Sequence, residues 1–89
     1  MTEDITSRVI AIIDDLGLIP LGGAAVTGDT YLDSLGMDDL DVLEVTMLVE
    51  EAFSVEITDD WVIELGIEYD EAQVRHLAAY VEKLRGIGA

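Results

Sequence analysis

The apolar residues fall into helical and non-helical stretches. Ile5, Val9, Ile12, Ile13 and Leu16 recur at the spacing of a helix with one buried face. Gly17 is placed to cap its C-terminus. The period then breaks. Residues 18–29 include Pro20, Gly22, Gly23 and Gly28, which predicts a long loop whose Leu18, Ile19, Leu21 and Val26 pack over the helices. The Gly22-Gly23 pair is no phosphate loop, because neither a preceding strand nor a following Lys-Ser/Thr accompanies it. Residues 30–33 predict one helical turn, with Tyr31 and Leu32 filling the core.

The richest stretch runs from Leu35 to Phe53, L-G-M-D-D-L-D-V-L-E-V-T-M-L-V-E-E-A-F. Asp38 and Asp39 stand where the first turn of a helix needs acceptors and negative charge. No Pro or Gly interrupts the residues after them. At roughly 100° per residue the helix has two apolar sides. Val42, Val45, Val49, Ala52 and Phe53 form one, with Thr46 at its edge, and this side predicts the core. Leu40, Leu43 and Met47 form the other, with Leu48 apart from both. Glu44 and Glu51 flank the second side and Glu50 borders it opposite. Carboxylates around the Leu/Met strip oppose its complete burial, so it reads as an exposed docking surface, unless another helix covers it.

Beyond Phe53, residues 54–57 predict a short connection without strand pairing. Thr58 is placed as N-cap of a short helix through Leu65, with Asp59 and Asp60 in its first turn. Trp61 fits either the core or the surface. Asp70 and Gln73 have capping-box spacing, and Val74, Leu77, Ala78, Val81 and Leu84 form the buried face of a last helix. Gly86 is expected to end that helix, leaving residues 86–89 as a frayed tail. The pattern as a whole predicts an all-α, small four-helix bundle with a long first loop and a short third helix, folded as a single domain over residues 1–89.

Composition narrows what such a bundle does. In 89 residues, 51% hydrophobic, there is material for one core of modest stability, about 5–10 kcal/mol. With no cysteine there is no disulfide and no thiolate chemistry. No apolar run approaches a membrane span, and the acidic start lacks a signal peptide's basic region, so the expected setting is cytoplasmic. Four Lys/Arg against twenty Asp/Glu give a net charge of −16. No Lys, Arg or His lies between Val9 and Val74, where seventeen of the acids are found. That field repels nucleic acid and anionic membranes and attracts basic protein surfaces, although acidity also serves solubility alone. His76 is the only histidine, at the edge of the last helix's buried face, and no Ser/His/Asp set accompanies it, so no enzyme is predicted. Asp38, Asp39 and Asp41 cluster without the calcium-loop pattern, and no dedicated metal site is expected.

The stretch 35–53 also resembles the second helix of acyl carrier proteins, L-G-x-D-S-L-D-x-[VL]-E-L-x-x-x-L-E-E-x-F. Leu35, Gly36, Asp38, Leu40, Asp41, Leu43, Glu44, Glu50, Glu51 and Phe53 match it. The family's serine, which carries 4'-phosphopantetheine, falls on Asp39. A literal Asp-Ser-Leu triplet occurs at Asp33, Ser34 and Leu35, but it fits less well. Asp39 lies fourteen positions before Phe53, the family's distance, and Ser34 lies nineteen. Val26-Thr27, Tyr31-Leu32, Glu56-Ile57 and Val74 to Val81 extend the resemblance, while the link between the third and fourth helices is longer than is usual in the family.

The resemblance implies a monomeric carrier of acyl thioesters in fatty acid, lipid or polyketide-type biosynthesis. It implies docking through Asp38, Leu40, Asp41, Leu43, Glu44, Met47, Glu50 and Glu51 on basic surfaces of acyl-transfer, ketosynthase or phosphopantetheinyl transferase-type enzymes. Asp39 cannot take the arm: a carboxyl phosphate would be a hydrolysable mixed anhydride, and the transferase needs a hydroxyl. The chain as it stands is therefore expected to be unmodified, with Ser34 as the less favoured site. Asp39 is either an engineered replacement of serine or the mark of a naturally divergent relative. A rival of another class is an acidic helical adaptor or inhibitor that binds basic protein surfaces without acyl cargo.

Overall fold

The computed structural model describes residues 2–58 and 60–88. Its helices are α1 (Thr2–Asp15), α2 (Asp39–Phe53), the short α3 (Trp61–Glu64) and α4 (Val74–Gly88). Two 3-10 turns, Leu32–Leu35 and Tyr69–Glu71, lie in the connections. No strand is formed among the described residues, and the one β-like contact is an isolated bridge between Tyr31 and Gln73.

The helical periods locate the core. Ile5, Val9 and Ile13 of α1 are buried against α4, which supplies Val74, Leu77, Ala78 and Val81. Val45, Val49 and Phe53 of α2 close the third side. Gly17 ends α1 at φ +75, and Leu18 N–H donates to the Ile13 carbonyl, the bond of a helix terminated by a left-handed glycine. Trp61, undecided from the pattern, is buried with its ring 6.1 Å from that of Tyr80.

Several expectations give way. In the long loop, Leu18 and Val26 are partly buried, but Ile19 and Leu21 are 64% and 79% exposed while Pro20 is buried. The turn after it starts at Leu32 and buries Leu32 and Leu35, leaving Tyr31 half exposed. Ala52 of α2 is exposed. Thr58 does not cap α3: the helix begins later, after Asp60, and the Thr58 hydroxyl donates to Glu64 Oε2 at 2.6 Å. Asp59 lies outside the described residues. The Asp70–Gln73 capping box does not form; the Glu71 carboxylate instead accepts from Glu68 N–H at 3.3 Å, two residues earlier. α4 continues through Gly86 to Gly88, because one exposed glycine costs only about 1 kcal/mol and no proline follows it.

Candidate functional site

The start of α2 is fixed by its own carboxylates. Asp38, not Asp39, is the N-cap: its Oδ1 accepts from Asp41 N–H at 2.8 Å, and Asp41 Oδ2 accepts from Asp38 N–H at 3.3 Å. This is a capping box with aspartate in both roles. Asp39 is the first residue inside the helix and exposed, and its side chain takes no part in the cap. Ser34 sits in the preceding 3-10 turn, half buried, its hydroxyl donating to the Tyr31 carbonyl at 2.6 Å.

Beside Asp39 a groove of about 390 Å³ opens between α2 and α3. Met37, Val42, Thr46, Thr58, Trp61, Val62 and Tyr69 complete its lining. The Thr46 hydroxyl is spent on the Val42 carbonyl at 2.8 Å, so this wall is effectively apolar. A narrow void of about 20 Å³ shares Met37, Val42, Thr46, Trp61 and Tyr69 with the groove and reaches Leu32, Val45 and Leu77. The site is thus a mostly apolar slot whose lining also carries the Asp39 carboxylate, the Thr58 hydroxyl and the Tyr69 phenol.

α3 is held to α4 beneath this slot. Glu64 Oε2 accepts from both the Thr58 and Tyr80 hydroxyls, at 2.6 and 2.8 Å. Those two bonds, Thr58 first, hold the Glu64 carboxyl below its ordinary range, partly opposed by burial and helped by Lys83. Burial is the main cause that pushes the Tyr80 hydroxyl up. Tyr80 was missed by the period because it sits beside Val81, at the margin of the apolar stripe.

The other side of α2 faces outward. Leu40, Leu43 and Met47 are 62%, 52% and 55% exposed, and Leu48 joins them at 38%. Glu44, Met47, Leu48 and Glu51 line a shallow groove of about 310 Å³. A second groove, of about 340 Å³, carries the surface across Leu48 and Glu51 to Ile12 and Asp15 of α1. No described helix covers the strip. Three flanking acids have internal duties: Asp38 and Asp41 in the cap, and Glu50, whose Oε2 accepts from Ile57 N–H at 2.8 Å and closes the turn after α2. Glu44 and Glu51 make no such bond among the described residues, so the uncommitted set is Leu40, Leu43, Glu44, Met47 and Glu51. No group of three or more potential ligands could hold a metal ion among the described residues, and no described helix is long and apolar enough to cross a membrane.

The chain is similar in sequence to known proteins. The family model for the phosphopantetheine attachment site matches residues 9–81. An acyl carrier protein of Zymomonas mobilis is 41% identical over 59 residues, 66% of this chain and 73% of its own. One from Akkermansia muciniphila is 35% identical over 77 residues, 84% of each. A mitochondrial acyl carrier protein of Dictyostelium discoideum is 36% identical over 58 residues, 65% of this chain but 47% of its own length.

Proposed function

Since this chain belongs to the acyl carrier protein family, we propose that it is a carrier or carrier-like protein of fatty acid, lipid or polyketide-type biosynthesis whose position 39 holds aspartate where the family has its phosphopantetheine serine. The observation that carries the reading is the apolar slot opening beside Asp39 at the first turn of α2. A cargo tethered there would have an apolar refuge within reach. The outward strip of Leu40, Leu43 and Met47, edged by Glu44 and Glu51, fits basic patches on acyl-transfer, ketosynthase or phosphopantetheinyl transferase-type enzymes.

The residues present do not fit the arm itself. A carboxylate gives no stable phosphodiester, and the nearby Ser34 hydroxyl is committed to the Tyr31 carbonyl. Asp39 therefore also favours a second reading, an armless protein that keeps the docking face as an adaptor or inhibitor. The test is incubation with a promiscuous phosphopantetheinyl transferase and coenzyme A, read by intact mass. We expect no gain on the unaltered chain, and one arm on Asp39→Ser and on Asp39→Ser with Ser34→Ala. An arm on the unaltered chain that disappears with Ser34→Ala overturns the assignment of position 39. No arm on a folded Asp39→Ser variant selects the adaptor reading.

A further inference from the structure

The N-terminus of α4 is capped in an unusual way. Its first N–H groups are taken by the loop: Val74 N–H donates to the Thr30 carbonyl and Arg75 N–H to the Gly28 carbonyl, each at 2.9 Å. Leu32 N–H donates to the Ala72 carbonyl at 2.9 Å, and the Gln73 side-chain amide to the Asp29 carbonyl at 3.0 Å. The loop fits tightly here, since a Cβ on Gly28 would lie 3.2 Å from Thr6 Cγ2. Gln73 is the hub, and its own backbone N–H donates to His76 Nδ1 at 2.9 Å. That is the reach-back arm of a capping box, with histidine where Glu or Gln is usual.

A backbone N–H can only donate, so Nδ1 must be the bare nitrogen and the ring neutral. We propose that the Gln73–His76 pair is an acid-released latch that clasps residues 28–32 to the start of α4 and so steadies the 3-10 turn leading into α2. Protonation puts a hydrogen on Nδ1, facing the Gln73 hydrogen, and a positive charge at the positive end of the helix. The bond is then lost.

The surrounding charges set the direction. Burial first, then the Arg75 guanidinium, lower the affinity of the ring for a proton, while Glu71 opposes them. Asp29 on the loop sits 3.8 Å from Arg75 and tempers its charge. Tyr69 and Tyr80, on the neighbouring turn and along α4, are both pushed above their ordinary values and stay neutral in this range. Because the folded ring binds its proton more weakly than the unfolded one, the latch is fully engaged above the ordinary histidine value and is lost as pH falls below it. With a single histidine in the chain, an imidazole transition in this window belongs to His76, and the carboxylates are separated from it by the variant below.

The test is an NMR titration from pH 7.5 to 5.5 on the unaltered chain and on His76→Gln, which keeps an acceptor but cannot titrate. In the unaltered chain the Gln73 amide proton should shift in step with the His76 ring. Exchange protection of the Leu32, Val74 and Arg75 amides, corrected for intrinsic rates, should fall roughly fivefold, the scale of a lost cap. In His76→Gln that protection should hold. A Gln73 amide that ignores the ring titration overturns the latch, as does an equal loss of protection in His76→Gln, which would place the cause in the carboxylates. Should the variant not fold, the titration of the unaltered chain decides alone.

Discussion

The two apolar sides of α2 are made of similar residues and have opposite fates. Val45, Val49 and Phe53 are buried to 7% exposure or less, whereas Leu40, Leu43 and Met47 are each more than half exposed. Hydrophobicity does not separate them. What separates them is the partner across the gap: α1 and α4 meet the first side, and nothing in the described chain meets the second. Glu44 and Glu51, with no hydrogen-bond partner among the described residues, add the cost of stripping water from two carboxylates to any attempt to cover that side from within. A partner that brings its own cations removes that cost. This supports the proposed role of the exposed side as a docking surface.

The comparison breaks first, if it breaks, on stability. Val45→Ala or Phe53→Ala should cost about 2–4 kcal/mol by leaving a cavity, while Leu43→Ala should stay within about 0.5 kcal/mol. Denaturant melts of the three variants measure it, and equal losses would mean the outer side is packed in solution. Binding sharpens it next. Glu44→Lys should slow association with a basic carrier-protein partner and flatten its salt dependence, and Met47→Ala should mainly speed dissociation, both by surface plasmon resonance. A partner that binds Glu44→Lys unchanged docks elsewhere. The smallest effect concerns the field around both sides. Added Mg²⁺ or salt should raise the melting temperature by a few degrees through screening of the carboxylates. A midpoint indifferent to both would show that their repulsion is small.

The division of α2 was legible because helical period and flanking acids were both present in the sequence, and the same period gave α1 and α4. Loops have no period, so the fates of Ile19, Leu21 and Tyr31, all exposed, and of Pro20, buried, were not available from it. Side chains that reach a backbone N–H across a turn leave almost no compositional trace. Glu50 looked like one more surface acid, yet it holds Ile57 N–H. His76 looked like a lone edge histidine. Its one signal was the position three residues after Gln73, where a capping template asks for Glu or Gln. Asp39 looked like a cap, but the cap needed only Asp38 and Asp41. The slot beside Asp39 depends on Trp61, whose placement no spacing decided.

Trp61 has an optical consequence. It is the only tryptophan in the chain, it lines the slot beside Asp39, and its ring lies 6.1 Å from the ring of Tyr80. Indole emission responds to the polarity around the ring, and a tyrosine this near passes excitation energy to it. The protein thus carries a built-in fluorophore at the place where an apolar guest would sit. Emission colour reports whether the slot holds water or hydrocarbon, and the part of tyrosine-to-tryptophan transfer lost in Tyr80→Phe reports whether α3 still rests on α4.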